Sequence, residues 1–185
     1  DDAWFQTLSA IIDKGKVYTI TRGSYKDAKR LEFDFVVVRV RKPSHQIIPL
    51  IPEGLNIPAP TDMDYIQGYL SYLLTGTKTN TEDYTYGERL VDPKVRIKEI
   101  KEGAEMTKEI PLCVNQVEEV IRMYKTDGFG TNQAIMEIGM PSDIVLNDPP
   151  CLRLIDTKIR DHKLHFVLYF RSWDLWGGFP SNLGG

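Results

Sequence analysis

The residues of this chain with the most chemical potential lie near its C-terminal end. Cys151 follows two prolines, Arg171 and Ser172 end a strand-like run, and Asn182 follows a glycine-rich turn. A thiolate is a nucleophile, an arginine fork beside a hydroxyl can cradle phosphate, and a carboxamide offers a donor next to an acceptor. Because these residues fall at predicted strand ends and turns, a rigid scaffold could present them to a ligand.

Each of these side chains also has a structural explanation. Free cysteine is among the most often buried residue types, so Cys151 could be a core residue. Arg171 could form a salt bridge with Asp174, and Asn182 could cap a helix that begins there. The residue types alone leave these alternatives open.

The composition is that of an ordinary globular protein, and we expect one domain over residues 1–185. The chain has 42% hydrophobic and 26% charged residues, with a formal net charge of -3. This charge gives no general attraction to nucleic acid or anionic membrane, and no partner of either kind is expected. Two cysteines outside any C-x-x-C motif and scattered histidines predict neither a disulfide framework nor a metal site. The acidic N-terminus does not resemble a signal peptide, so a cytoplasmic location is expected.

The hydrophobic pattern predicts helices alternating with non-parallel strands, which is typical of the α+β class. Helices are expected near the N-terminus, after Asp62 and after Asn115. The last predicted strand is apolar on both faces, so we expect it to be central in its sheet. Residues 77–92 look turn-rich, and the charged residues 95–109 fit a solvated helix or an ordered insertion. Strands are predicted around residues 31–37, 134–138, 152–158 and 163–171, the last two joined by Asp161-His162.

Residues 148–182 resemble the nucleotide-binding core of the thymidylate synthase family. That family has Pro-Cys, then Arg-Ser-x-Asp twenty residues later, then Gly-x-Pro-x-Asn. Here the three motifs are Pro150-Cys151, residues 171–174 and residues 178–182. Weaker similarity is seen at residues 84–87, which resemble the family's Tyr-Gly, and at residues 73–76. The surrounding sequence is similar to archaeal-type members.

The resemblance implies a mixed sheet flanked by helices and an enzyme that works as a homodimer. The implied reaction transfers and reduces a one-carbon unit from methylenetetrahydrofolate to carbon-5 of dUMP, giving dTMP. The one-carbon donor could be the folate or a modified pterin, and no metal is implied. Two alternatives are a pyrimidine nucleotide hydroxymethylase of the same family and a non-catalytic nucleotide- or RNA-binding relative.

The resemblance also implies a role for each matching residue. Cys151 would add to carbon-6 of the uracil, and Arg171 would bind the phosphate and help hold Cys151 as thiolate. Tyr86 would assist proton removal at carbon-5 through water. Ser172 and the Asp174 backbone would contact the nucleotide, and the Asp174 carboxylate would contact the pterin. Gly178 would allow close approach of the backbone, and Asn182 would select uracil. Arg22 would be a mobile phosphate contact.

Several positions depart from the family pattern. Tyr69 stands where the family has a glutamate, and Leu152 stands where a histidine usually follows the cysteine. Thr131, Asn132 and Gln133 occupy the place expected for a pair of arginines that serve the second subunit. A later His-x-Tyr motif would fall beyond Gly185, so a C-terminal part is expected to be missing.

Overall fold

The computed structural model describes residues 2–45 and 47–185. Its helices are α1 (Asp2–Lys14), α2 (Met63–Leu73), α3 (Tyr86–Val91), α4 (Gln116–Thr126) and α5 (Gly178–Gly184), with a 3-10 turn at Pro141–Val145. Its strands are β1 (Lys16–Thr19), β2 (Lys29–Glu32), β3 (Lys94–Lys101), β4 (Ala104–Pro111), β5 (Ile135–Glu137), β6 (Leu152–Arg160) and β7 (Lys163–Phe170). The strands form antiparallel sheets β1-β2, β3-β4 and β5-β6-β7. In the described residues, no helix is long and apolar enough to cross a membrane.

The chain forms two compact units. Unit 1 comprises Asp1–Leu70 and Trp173–Gly185, and unit 2 comprises Ser71–Ser172. Helices and small sheets together confirm the predicted α+β class. The single domain expected over residues 1–185 stays a prediction.

The core of unit 2 lies between α3, α4 and the three-stranded sheet. Asn115 caps α4 as predicted, because its side chain accepts a hydrogen bond from the Glu118 N–H at 3.1 Å. Each large apolar side chain buried here stabilises the fold by about 1.5–3 kcal/mol relative to an exposed one. The buried apolar residues are Leu90, Val120, Ala134, Met136, Ile138 and Leu152.

Unit 1 is built around three side chains that are each 1% exposed, Trp4, Ile66 and Phe179. The Trp4 indole donates to the Leu175 carbonyl at 2.7 Å, which ties α1 to the segment before α5. The predicted cap of α2 is present, since the Asp62 carboxylate accepts from the Tyr65 N–H at 2.8 Å. Each of α1, α2 and α5 therefore contributes a fully buried apolar side chain to unit 1.

Strand β7 lies at the edge of its sheet, so the prediction of a central strand is wrong. The order is β5-β6-β7, and β6 is the central strand. Apolar residues on both faces indicate that both faces of the strand become covered, but they do not specify whether strands pair with both of its edges. In the single chain, Leu164, Phe166 and Val167 are 53%, 57% and 56% exposed.

Two further segments differ from the sequence-based expectations. Strand β2 ends at Glu32, and Phe35 and Val37 lie exposed outside any strand. The charged residues 95–109 lie in the β3–β4 hairpin, so the helix alternative is wrong. Its turn contains Glu102 and Gly103, both with positive φ, a backbone that favours two-residue hairpins.

Helix α3 lies inside the segment expected to be turn-rich. Its start is capped by Thr85, whose hydroxyl accepts from the Glu88 N–H at 3.0 Å. A threonine followed three residues later by glutamate is a helix-start signal, and this one was overlooked. The cap matters for the site because α3 begins at Tyr86.

A buried ion pair joins α3 to the 3-10 turn. The Arg89 guanidinium donates to the Asp143 carboxylate at 2.7 Å, and the two side chains are 5% and 2% exposed. Asp143 also accepts from the Met140 N–H at 2.7 Å and from Arg153 at 3.2 Å. These bonds offset the free-energy cost of desolvating the two charges. Removing either partner would leave the other charge buried without compensation.

We predict that Asp143→Ala lowers the free energy of unfolding by about 3–5 kcal/mol, because Arg89 is then left buried without its counter-charge. Urea unfolding followed by circular dichroism measures the change. The matched control is Glu105→Ala, which removes only an exposed pair with Lys98 and should change stability by less than about 1 kcal/mol. Equal effects of the two variants would contradict the role of the buried pair.

Candidate active site

Cys151 lies in unit 2, immediately before β6. The prolines at 149 and 150 restrict the backbone that leads to it, so the thiol is presented from a stiff segment. Cys151 is a free, partly buried thiol. It is therefore less enclosed than the buried residues of the adjoining core. The other cysteine, Cys113, is exposed.

Arg171 lies beside Cys151 because of the register of β6 and β7. Leu152 is paired with Phe170, and the next residue, Arg171, donates its backbone N–H to the Cys151 carbonyl at 2.9 Å. Its guanidinium donates to the Pro150 carbonyl at 3.1 Å and also to the Pro149 carbonyl. The two strand ends therefore meet, and a cation lies on the segment that carries Cys151.

The Arg171 guanidinium can also bind an anion. An arginine has five N–H donors, and the contacts described for Arg171 engage two nitrogens of the fork. The residue is exposed, as is Ser172, which follows it directly. An exposed fork held by two carbonyls, with a hydroxyl next to it, has the chemistry of a phosphate site.

The Tyr86 side chain extends from the start of α3 to the segment that carries Cys151 and Leu152. Its hydroxyl accepts from the Leu152 N–H at 3.2 Å. The next residue, Gly87, allows α3 to pass close to the backbone at the end of α2, because a Cβ at that position would lie 2.0 Å from the Tyr72 carbonyl oxygen. Burial raises the pKa of the Tyr86 phenol, while the backbone N–H groups of Leu152 and Cys151 act in the opposite direction. The phenol is thus protonated at neutral pH and can donate a hydrogen bond.

Tyr84 is a second phenol in this cluster, and the sequence analysis assigned it no role. Its ring stacks on that of Tyr86 with 6.0 Å between centres, and the Arg89 guanidinium lies 5.9 Å from its centre. Burial raises the pKa of Tyr84 well above its ordinary range, and the charges of ionised Tyr86 and Cys151 would raise it further. The available signal was the Tyr-x-Tyr spacing, which puts both rings on one face of an extended segment.

Asp174 and Gly178 lie in unit 1, in the turn that leads into α5. The Asp174 carboxylate accepts from the backbone N–H of Gly177 at 2.9 Å, of Gly178 at 2.8 Å and of Trp176 at 3.3 Å. Asp174 therefore organises the start of α5. Its side chain is exposed, and its oxygens can accept further bonds from a ligand.

Asn182 also lies in unit 1, within α5. Because α5 begins at Gly178 after Gly177, the alternative that Asn182 caps this helix is wrong. Its Oδ1 accepts from the Trp173 indole at 2.8 Å, and its Nδ2 donates to the Tyr69 hydroxyl at 3.0 Å. Tyr69 is the residue found where the resemblance expects a glutamate.

The remaining positions considered in the sequence lie in loops. Arg22 is exposed in the connection between β1 and β2. Thr131 accepts from the Gln133 N–H at 3.1 Å in the loop before β5. The predicted residues thus fall into two groups, Tyr86, Cys151, Arg171 and Ser172 in unit 2, and Arg22, Asp174, Gly178 and Asn182 in unit 1.

A mostly apolar cavity of about 630 Å³ lies elsewhere in unit 2. Its lining includes Val120, Met123, Ile135 and Met140, and it contains none of the predicted site residues. In the part of the chain that the structure describes, no cluster of three or more His, Cys, Asp or Glu residues could hold a metal ion.

Comparison with solved structures identifies the fold. The thermostable thymidylate synthase A from Bacillus subtilis matches with a TM-score of 0.55 and 17% sequence identity, covering 99% of this chain and 68% of that one. The predicted thymidylate-synthase-like fold is thereby confirmed. No protein-family model matches the sequence.

Comparison with curated proteins identifies the family. A Methanosarcina mazei protein with the provisional name thymidylate synthase is 30% identical over 186 residues, covering all of this chain and 72% of that protein. Similarly named proteins from Methanosarcina barkeri and Methanothermobacter thermautotrophicus are 29% and 27% identical, with 72% and 76% of their lengths covered. The chain belongs to the thymidylate synthase family.

We predict that Tyr84 makes the stability of the protein sensitive to alkaline pH. Its pKa is higher in the folded state than the value of about 10 in the unfolded state. The folded state therefore retains the phenolic proton longer, and this contribution is complete below about pH 10 and is lost as the pH rises further. Tyr84→Phe should show a shallower loss of unfolding free energy above about pH 10 than the parent protein.

Urea unfolding at a series of pH values tests this prediction. Tyr25→Phe is the matched surface control, since Tyr25 is exposed. If the curves of the parent and Tyr84→Phe run parallel through the alkaline range, burial does not hold the Tyr84 phenol neutral.

Proposed function

We propose that this protein converts dUMP to dTMP by transferring and reducing a one-carbon unit, with Cys151 as the covalent nucleophile. The observation that carries the proposal is the joining of Cys151, Arg171 and Tyr86 at the start of β6, in a member of the thymidylate synthase family. The proposal includes a cytoplasmic location, supported by two free thiols, which are typical of a reducing compartment.

In the proposed reaction, the Cys151 thiolate adds to carbon-6 of the uracil. The electron pair of the 5,6 double bond moves toward the O4 carbonyl, and carbon-5 becomes nucleophilic. Carbon-5 would then attack the methylene carbon of the one-carbon donor, forming a carbon-carbon bond as the electron pair of the methylene–nitrogen double bond moves to that nitrogen. Loss of the carbon-5 proton would expel the donor nitrogen and leave an exocyclic methylene on the base. A hydride from the reduced pterin ring would convert this methylene to the methyl group and leave the donor in its dihydro form. The electron pair returned to carbon-5 would then restore the 5,6 double bond and expel the Cys151 thiolate from carbon-6.

Arg171 and Ser172 bind the nucleotide phosphate in this proposal. The guanidinium is held by the carbonyls of Pro149 and Pro150, so it is oriented before the anion arrives. An arginine fork forms short, charge-assisted hydrogen bonds to phosphate oxygens. Arg22 is proposed as a second phosphate contact, and its exposed position in a loop allows it to move toward an anion.

Tyr86 serves the proton transfers at carbon-5. Its phenol is protonated at neutral pH, so it donates a hydrogen bond to an ordered water and thereby positions that water to take the proton. Its contact with the Leu152 N–H fixes the hydroxyl next to the cysteine segment. Tyr86 is therefore proposed to orient the water and not to accept the proton itself.

The one-carbon donor is methylenetetrahydrofolate or a modified pterin, which supplies the methylene and the reducing hydride. The exposed Asp174 carboxylate fits such a donor, since pterin rings carry N–H groups that a carboxylate can accept. Its bonds to the N–H groups of residues 176–178 fix it in place. Gly178 adds no side chain beside this carboxylate.

Asn182 recognises the base in the proposal. Uracil presents a carbonyl acceptor next to an imide N–H donor, and a carboxamide presents the complementary pair. The two contacts to Trp173 and Tyr69 leave one further acceptor position and one further N–H on Asn182 for this purpose. In the proposal, Asn182 thus selects the nucleotide by its base edge, and Cys151 forms the covalent bond to the base.

We predict that incubation with 5-fluoro-dUMP and methylenetetrahydrofolate gives a stable adduct on Cys151, because fluorine at carbon-5 cannot leave as a proton does. Intact-mass spectrometry followed by peptide mapping detects it. Cys151→Ser should abolish the adduct and turnover, whereas Cys113→Ser, the matched control at the exposed thiol, should retain both.

An unmodified mass in the parent protein would remove the synthase proposal and favour a non-catalytic nucleotide-binding relative. The substitution of Tyr69 for the family's glutamate is the observation that favours that alternative. Turnover to a hydroxymethylated nucleotide would instead assign the hydroxymethylase reaction.

We also propose that the protein acts as a homodimer through the sheet that contains β7. Leu164 and Phe166 lie on one face of this edge strand, Val167 lies on the other, and all three are more than half exposed in the single chain. Exposed large apolar side chains grouped on one strand are typical of interfaces in soluble proteins.

We therefore expect the protein to sediment as a dimer and Phe166→Asp to sediment as a monomer, because a buried unpaired carboxylate opposes association. Ile100→Asp in the β3–β4 hairpin is the matched control, since Ile100 is 81% exposed and lies on a different sheet. A monomeric parent protein, or a dimeric Phe166→Asp variant, would exclude β7 as the dimer surface.

A further inference from the structure

The carboxamide of Asn182 is held between two side chains of unit 1. The Trp173 indole donates to Oδ1 at 2.8 Å, and Nδ2 donates to the Tyr69 hydroxyl at 3.0 Å. We refer to Trp173, Asn182 and Tyr69 as the amide clamp. Two of its three members, Trp173 and Tyr69, have no counterpart in the motifs that indicated the family.

The clamp determines the orientation of the Asn182 carboxamide, that is, which side carries the oxygen and which the nitrogen. An indole N–H can only donate, so the group facing Trp173 must be the amide oxygen. Turning the carboxamide by 180° would point its NH2 group at the Trp173 N–H, and two donors would then face each other without an acceptor. With Oδ1 facing Trp173, Nδ2 faces Tyr69, whose hydroxyl accepts the bond.

Both partners of Asn182 are themselves held in place. The Trp173 ring stacks on Phe179 with 4.4 Å between ring centres and an interplanar angle of 24°, and Phe179 is only 1% exposed. Tyr69 is stacked on Tyr65 at 6.4 Å, and both lie on α2, which is anchored by buried Ile66. The carboxamide is thus oriented before any base arrives.

The orientation matters because the two pyrimidine bases require opposite ones. Uracil needs an N–H beside its O4 and an acceptor beside its N3–H. Cytosine needs an acceptor beside its amino group and an N–H beside its bare N3. An asparagine that is free to flip satisfies both bases, whereas a fixed carboxamide satisfies one.

We propose that Trp173 and Tyr69 are specificity-determining positioning residues, which fix the carboxamide of Asn182 so that the protein accepts uracil nucleotides and rejects cytosine nucleotides. This inference rests on the proposed function, since it assigns to the clamp the base selection that Asn182 performs there. Neither residue takes part in the bond-forming steps.

Binding of dUMP and of dCMP, measured by calorimetry without any one-carbon donor, tests the clamp. The readout is the ratio of the two dissociation constants. Trp173→Phe keeps a ring against Phe179 but removes the indole N–H, and we expect the preference for dUMP to fall about tenfold. Tyr69→Phe should lower it in the same direction by about threefold, because a carboxamide that loses this acceptor is held only by Trp173.

Two matched controls come from the same unit. Trp176→Phe removes an indole N–H that lies outside the clamp, next to Trp4. Tyr65→Phe removes a hydroxyl one turn from Tyr69 on the same helix. Both controls should keep the nucleotide preference of the parent protein, and a loss of preference in either would attribute the effect to general loosening of unit 1.

The outcomes separate this inference from the proposed function. If the parent protein prefers dUMP and the folded clamp variants keep the same ratio, the clamp inference is wrong and the proposed function stands. If the parent protein binds neither nucleotide, or binds both equally, the proposed base selection fails and the clamp inference fails with it.

A nucleotide-independent measurement covers the case in which a variant does not fold. In the parent protein, the Nδ2 protons of Asn182 and the indole proton of Trp173 should exchange with solvent more slowly than those of exposed side chains. Fast exchange of both groups in the folded parent protein, observed by NMR, would show that the clamp does not hold and would overturn the inference.

Discussion

The register between β6 and β7 is the constraint on which the Cys151 cluster depends. The connecting turn consists of Asp161 and His162, with φ values of 50° and 57°. Two consecutive residues of positive φ close a two-residue hairpin, which fixes the pairing of the strands that follow. A slip by one residue would turn every side chain of β7 to the opposite face and separate Arg171 from Cys151.

An irregularity in the same pair of strands adjusts the site more finely. Leu152 is paired with Phe170, whereas Leu154 is paired with Tyr169, so β6 carries one extra residue at Arg153. Such bulges re-aim side chains next to functional sites. Arg153 donates to Asp143, the residue that also holds Arg89 of α3. The bulge thus connects the strand that follows Cys151 to the helix that carries Tyr86.

The sequence predicted those parts of the site that depend on local rules. Cys151 and Arg171 both fall at predicted strand ends, and they meet in the structure because the two-residue turn between β6 and β7 fixes the register of these strands. The edge position of β7 was not predictable in this way. Its apolar pattern indicates that both faces become covered, but it does not indicate whether strands pair with both of its edges. The role of Thr85 as a cap was readable from its spacing to Glu88, and α3 was missed because that spacing was not used.

The amide clamp lies beyond what local patterns reveal, because Tyr69 and Asn182 are 113 residues apart in sequence. The amide clamp gives a structural role to Tyr69, which stands where the family has a glutamate. A carboxylate at position 69 could accept from the Asn182 Nδ2, and so can a phenol, which does so without a negative charge near the base. The substitution therefore preserves an acceptor for the carboxamide, while any handling of protons at carbon-5 needs another group. Tyr86 lies beside Cys151 and its raised pKa keeps its phenol protonated at neutral pH, so in the proposed mechanism Tyr69 helps to orient the base while Tyr86 orients the water that takes the proton.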